Sequence, residues 1–362
     1  MQQLLSFTQV VNLIKAVGDK RTVIVEGENG IGKTALFHAL RKDPKFADHV
    51  AVDPIDCTQL SDGSVWMPDI DKENGVSREL PNERFGVNKH NQKGINGARP
   101  ALVFLDEIAK APQFIKNVLA PIVYEPEGSV VFCATNLSVE GLGDSIQAHL
   151  RNRLTFVKMR KPSADEWINW AADAGVAPEV IAFVHMYPQV MDSFMDYEEG
   201  GKYHGKALDK DNPYVFNPRA SQIGYATPRS LVSASDIIKQ IDNMDTETLN
   251  CALSGTVGES TAVDMSAAVR FGRSLPLFER IVKDPEGTDV PDNPTAQIMQ
   301  TFQFVTRTSN RDEAEAVTKY VQRMRNEMQS LFVNTVARST RIAQFATVPA
   351  FGKMLADNKK YH

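Results

Sequence analysis

The chain has 362 residues, 42% hydrophobic and 23% charged, with 40 basic and 45 acidic side chains and a formal net charge of −5. That length exceeds one ordinary core and implies two or three domains of a soluble globular protein. The balance shows no basic excess of the kind that neutralises phosphate, so it does not indicate a nucleic-acid partner.

Cys57, Cys133 and Cys251 are far apart, and neither they nor the seven histidines show metal-ligand spacing. No apolar run approaches the ~18 residues that span a bilayer. The first residues lack a basic stretch followed by an apolar core, so the expected location is cytoplasmic, with no membrane partner.

Phe7, Val10, Val11 and Ile14 recur at helical spacing and predict an opening amphipathic helix, ended by Gly18-Asp19. Thr22–Glu26 reads as a buried strand, followed by a glycine-rich loop and a helix beginning over Ala35–Arg41. Val50–Cys57 reads as a second strand. Residues 61–99 are rich in Gly, Asn, Pro and charge, with Trp66, Met67 and Phe85 as isolated apolar points, and are too long for an ordinary loop. Pro100–Glu107 is a third strand ending in two acids, Ser129–Asn136 a fourth, and Thr155–Met159 a short fifth. Strands alternating with helices predict a parallel, doubly wound sheet whose ligands sit at strand C-terminal ends.

After Pro162 the pattern turns helical. Ser163 and Glu166 form a capping box. Trp167, Trp170, Ala171 and Ala174 follow on one face, with both tryptophans assigned to the core. Further helices are predicted over Pro178–Met186 and from Pro228. Residues 192–226 read as irregular. A long helix is predicted from Asp312 to about Arg338, with Val317, Tyr320, Val321, Met324, Met328 and Leu331 at a 3–4 spacing. The expected fold is therefore α/β: a P-loop parallel sheet flanked by helices over 1–160, then a helical lid and C-terminal helices over 161–362.

The chemistry concentrates in a few motifs. Gly27-Glu28-Asn29-Gly30-Ile31-Gly32-Lys33-Thr34 fits the phosphate-loop pattern, and its strand-loop-helix context is the one that pattern requires. Glycines let backbone N–H groups turn onto phosphate oxygens, an arrangement that continues into Ala35. Lys33 would reach the terminal phosphates and Thr34 would ligate Mg²⁺. Asp106 and Glu107 close an apolar strand. The first can hold Mg²⁺ and the second can polarise an attacking water. Asn136 ends the next strand, where a neutral amide can position that water. Arg151 and Arg153 lie in Leu150-Arg151-Asn152-Arg153-Leu154, and a trans-acting arginine there can serve a neighbour's γ-phosphate. Arg229, in Ala226-Thr227-Pro228-Arg229-Ser230, sits at a helix start and could touch nucleotide. Leu253-Ser254-Gly255 begins like a transporter ATPase motif, but Thr256-Val257 does not continue it.

Together the phosphate loop, Leu105-Asp106-Glu107, Ala134-Thr135-Asn136, Asn152-Arg153-Leu154 and Thr227-Pro228-Arg229 resemble the AAA+ ATPases, in order and spacing the MoxR group. Trp167-x-x-Trp170-Ala171, Val180–Phe183, Gly255–Glu259 and Val348–Phe351 look like segments of bacterial and phage members. The resemblance implies ATP and Mg²⁺ as ligands and Asn136 as sensor 1. It makes Arg153 the trans finger and Arg229 sensor 2. It also implies a ring, commonly a hexamer, working on a protein client, often one with a von Willebrand factor A domain. For a phage protein the cytoplasm would be the host's. Many relatives carry a β-hairpin between the paired acids and the sensor. Here Ile108–Thr135 must already hold a helix and a strand, so that hairpin's role does not transfer. The 61–99 segment is the expected substrate-facing surface instead. A nucleic-acid motor or loader of the same fold, and an ATP-gated scaffold with incidental hydrolysis, are the alternatives.

Overall fold

A computed structural model describes residues 3–61, 63–81, 100–124, 129–137, 152–198, 201–203 and 205–358. The chain divides into two compact units, Met1–Lys161 and Pro162–His362. Among the described residues no helix is long and apolar enough to cross a membrane.

The first unit is built on a parallel sheet. Its strands are β1 (Leu4–Leu5), β2 (Val23–Glu26), β3 (Val50–Ala51) and β4 (Ile55–Asp56), then β7 (Ala101–Asp106), β8 (Val130–Thr135) and β9 (Thr155–Met159). A separate antiparallel hairpin, β5 (Trp66–Asp71) and β6 (Val76–Pro81), intervenes in sequence. The spatial order is β1-β9-β2-β8-β7-β3, with β4 also on β7, and every pairing in this sheet is parallel. β8 is inserted between β2 and β7, which precede it in the chain. The C-terminal ends of all three therefore lie side by side, where the winding direction changes and ligands bind in sheets of this kind.

The strands read as near-continuous apolar runs because both faces are covered. Leu102 and Phe104 of β7 point to the side packed by α1 (Phe7–Val17) and α2 (Lys33–Arg41). Ala101, Val103 and Leu105 point to the side packed by α3 (Gln113–Tyr124). Phe104 stacks on Phe132 at 4.7 Å between ring centroids. Burying a phenylalanine of this kind contributes about 1.5–3 kcal/mol.

The second unit is helical. Its two cores gather around Trp167, Phe183, Leu231, Met265 and Phe302, and around Phe304, Tyr320, Phe332, Phe345 and Phe351. The capping box of Ser163 and Glu166 is present. Thr227 and Ser230 form a second one at the helix Pro228–Ile238. The α/β P-loop class expected from the sequence, a parallel sheet flanked by helices and followed by helices, is the class observed.

Four local expectations are corrected. Val50–Cys57 is two short strands, because Pro54 has no N–H to give the ladder. Part of the 61–99 segment is the β5–β6 hairpin, whose turn is closed by Asn74 donating to Asp71 and by Gly75 at φ 65°. Residues 82–99 lie outside the described residues. The predicted long helix is two, Arg311–Val321 and Asn326–Arg338. Side chains satisfy the break. The Gln329 amide donates to the carbonyls of Gln322 and Met324, and Arg325 N–H donates to Gln297 Oε1 at 3.1 Å. Trp167 is buried, but Trp170 is 51% exposed, because the helix Ala164–Asp173 buries Trp167, Ile168, Ala171 and Ala172.

Candidate functional site

The residues between β2 and α2 form a tight loop for reasons legible in their chemistry. A side chain at Gly27 would place its Cβ 2.6 Å from Ile31 Cδ1 and 3.0 Å from the Met159 carbonyl. Gly32 sits at φ 101°, a left-handed conformation that L side chains rarely adopt, and starts α2 with no side-chain cap. The first-turn N–H groups of α2 are thus presented at a helix N-terminus, where an anion is favoured. Gly27 N–H donates to Thr135 O at 3.2 Å, tying the loop to β8.

Lys33 is buried and donates from Nζ to Gly27 O at 2.6 Å, Glu28 O at 2.9 Å and Asn136 Oδ1 at 2.7 Å. Asn136, also buried, donates from Nδ2 to Glu107 Oε1 at 2.9 Å. Thr34 Oγ1 donates to Asp106 Oδ2 at 3.2 Å, and Glu107 N–H donates to Asp106 Oδ1 at 3.0 Å. One polar chain therefore joins Thr34, Asp106, Glu107, Asn136 and Lys33 across the C-terminal ends of β2, β7 and β8.

Burial raises the Asp106 carboxyl above its ordinary value, and the Glu107 charge adds to the rise. The Glu107 N–H, Thr34 hydroxyl and Lys33 ammonium pull it back. A hydroxyl and a half-buried carboxylate held together are hard oxygen donors that fit a divalent cation. The uncapped helix start beside a lysine fits a polyphosphate. Glu107 has φ 55°, the one left-handed non-glycine among the described residues. That conformation turns the chain from β7 into the short helix Ile108–Lys110 and aims the Glu107 carboxylate at Asn136.

Arg153 is exposed, its guanidinium 5.6 Å from the centre of the Tyr124 ring. It precedes β9, whose Thr155 is in register with Val23 of β2. It therefore sits at the N-terminal edge of the strands, roughly 20 Å along the sheet from the glycine loop at ~3.3 Å per residue. Arg229 lies in the second unit, exposed on the first turn of Pro228–Ile238, with no ion pair among the described residues. Arg151 lies outside the described residues. Among the described residues no cluster of His, Cys, Asp and Glu side chains could by itself hold a metal ion. Ile31 and Ala35 pack or bond within the loop, Ile31 buried and Ala35 N–H donating to Gly32 O; Asn29 is exposed. Lys110 escaped the motif reading: its ammonium lies 3.1 Å from Glu107 Oε2. The Glu-x-x-Lys spacing was the available signal.

No protein-family model matches the chain, and no curated protein matches it. Solved structures with a slight likeness include three. PCH-2 of C. elegans is 15% identical over 74% of this chain and 68% of that one, with a TM-score of 0.30. NtrX of Brucella abortus is 13% identical over 99% and 69%, with a TM-score of 0.35. A DNA polymerase III gamma subunit-related protein of Thermotoga maritima is 13% identical over 98% and 99%, with a TM-score of 0.32. At such scores the functional reading rests on this chain's own geometry.

Proposed function

We propose that the chain is a Mg²⁺-dependent ATP hydrolase of the AAA+ class. It forms a ring, a hexamer in the reading taken from sequence, and couples hydrolysis to remodelling or assembly of a protein partner in the cytoplasm. The observation that carries the proposal is the single polar chain from Thr34 through Asp106, Glu107 and Asn136 to Lys33. It brings a phosphate-binding loop, a cation-binding oxygen pair and a candidate base onto one edge of one sheet.

In this reading the loop N–H groups and Lys33 bind the triphosphate of ATP. Thr34 and Asp106 would hold the cation, which supplies neutralisation of phosphate charge. Glu107 accepts a proton from water. The water oxygen bonds to the γ-phosphorus as the bond to the bridging oxygen breaks, leaving ADP and phosphate. Asn136 orients that water. Arg153 acts on a neighbouring subunit's nucleotide, supported by its place at the sheet edge away from its own loop. Arg229 contacts nucleotide as sensor 2, and Arg151 remains a second candidate finger. The MoxR assignment and a von Willebrand factor A client rest on the motif resemblance.

The test is ATP turnover with Glu107→Gln and Arg153→Ala. Glu107→Gln should bind ATP and stop turning over, and ATP should hold its assembly together. Arg153→Ala should keep nucleotide binding and lose turnover by on the order of 10³, while wild-type turnover per chain rises with protein concentration. Wild-type turnover that is independent of concentration across the assembly range would exclude a shared site.

A further inference from the structure

Lys110 is placed by the same turn that places Glu107. Its N–H donates to the Glu107 carbonyl at 2.9 Å, closing the short helix Ile108–Lys110. Its ammonium returns to the Glu107 side chain, 3.1 Å from Oε2. The two residues are thus joined by main chain and by side chain. The pair is mostly sheltered from water, with side-chain exposures of 24% for Lys110 and 22% for Glu107. An ion pair so sheltered is screened less than one on an open surface.

The two ends of the carboxylate are held differently. Oε1 accepts a directed hydrogen bond from Asn136 Nδ2. Oε2 is buried and accepts no aligned hydrogen bond; the Lys110 ammonium lies beside it without hydrogen-bond alignment. Asn136 and Lys110 therefore hold one carboxylate oxygen each. A base that must meet one water beside one phosphorus gains from such restraint, because misplacement of about 1 Å costs on the order of 10² in rate. The left-handed backbone of Glu107 at φ 55° sets where its side chain starts, and the contacts with Asn136 and Lys110 together restrain the side-chain torsions.

From this geometry we infer that Lys110 is a positioning residue for Glu107, holding the carboxylate in the orientation from which it takes the proton of the attacking water. The inference rests on the proposed hydrolase activity. Lys110 acts through Glu107, which it contacts at Oε2.

The experiment is steady-state ATPase kinetics on full-length wild type, Lys110→Met, Lys110→Arg, Glu107→Gln and the double variant Glu107→Gln/Lys110→Met. ATP affinity is measured separately by equilibrium binding. Lys110→Met, close in length and neutral, should lower kcat about 10–100-fold with KM and ATP affinity within about threefold of wild type. Lys110→Arg, which restores the charge, should recover most of the loss. In the Glu107→Gln background, where steady-state turnover stops, the residual hydrolysis rate is read in single-turnover experiments, and Lys110→Met should cause no further loss of it, since there is no carboxylate left to orient.

Three results overturn the inference: kcat within twofold of wild type in Lys110→Met, a rise in kcat, or additive losses in the double variant. If Lys110→Met does not fold, Lys110→Arg decides alone: an arginine variant as slow as Glu107→Gln overturns the inference. If wild type hydrolyses ATP and Glu107→Gln does not, a failure at Lys110 leaves the hydrolase reading intact. A wild type that binds but never hydrolyses ATP overturns both.

Discussion

Replacing Asn136 tests the site at its centre, because its one amide group serves two charged partners. Its Oδ1 accepts from Lys33 at 2.7 Å and its Nδ2 donates to Glu107 at 2.9 Å. A hydrogen bond to a charged group contributes about 1.5–3 kcal/mol net. In Asn136→Ala neither partner is stranded: Lys33 keeps the carbonyls of Gly27 and Glu28, and Glu107 keeps Lys110. The cost to the nucleotide-free fold should therefore be that of about one bond, about 1.5–3 kcal/mol. The cost to turnover should be larger. A preorganised donor beside a reacting centre is worth on the order of 10²–10³ in rate, so kcat should fall by that factor. ATP affinity should hold or tighten slightly, because one competitor of phosphate for Lys33 is gone. Asn136→Asp separates the two functions. It keeps an acceptor for Lys33, now charged, and sets a carboxylate against that of Glu107. It should lose turnover at least as fully as the alanine variant, and it should also bind ATP more weakly, by about tenfold for each 1.4 kcal/mol that the new ion pair adds. Single-turnover hydrolysis and equilibrium titration with a fluorescent ATP analogue measure both quantities. A kcat within threefold of wild type in Asn136→Ala, or tighter ATP binding by Asn136→Asp than by Asn136→Ala, would refute the reasoning.

Three further outcomes follow from other parts of the structure. Gly258→Ala should destabilise the helical unit by about 2–5 kcal/mol, from a backbone at φ 85° and a Cβ that would lie 2.5 Å from the Gly224 carbonyl; a urea midpoint equal to wild type would count against the close approach. Burial raises the carboxyl of Glu179, while its own backbone N–H and the charges of Arg307 and Arg273 oppose the rise. The folded state therefore holds its proton more tightly than the unfolded chain. This contribution to stability is complete below the ordinary value of 4.5 and is lost as pH rises through the raised value. Glu179→Gln should therefore raise the melting temperature at pH 7 and lose that advantage below about pH 4.5, as thermal scans at several pH values will show. Finally, deleting Gly75–Lys93 should spare ATP binding and remove stimulation by a partner; full stimulation would dismiss the segment as a partner surface.

The parts legible in the sequence are those whose cause is local. Glycines at 27, 30 and 32 announce a loop that needs left-handed backbone and close approach, and Gly30 and Gly32 do have positive φ. An apolar run ending in Asp106 announces a buried strand that meets solvent at its acid. Ser163 with Glu166 announces a helix start. The break in the predicted long helix depends on distant residues. The break at 322–325 interrupts an unbroken 3–4 spacing, and its backbone groups are satisfied by Gln297, from another helix, and by Gln329. Trp170 obeys the same period as Trp167 but falls outside the buried stripe. The β5–β6 hairpin carried its Asn74-Gly75 turn signal in plain view, and the surrounding polar residues masked it.

The polar chain also bears on how nucleotide arrival could be sensed. Lys33 donates to three oxygens of its own site, one of them Asn136 Oδ1. A γ-phosphate drawing Lys33 away would remove that partner from Asn136 and leave its amide tied only to Glu107. The amide then needs a new acceptor-side partner, and the nearest chemistry able to supply one is a water beside the phosphate. In the proposed hydrolase reading the exchange would run along a single line of hydrogen bonds, so that phosphate binding would also recruit the water and leave Glu107 facing it. Binding free energy given up in breaking the Lys33–Asn136 contact would then be recovered as orientation at the reacting centre, raising kcat instead of only tightening ATP.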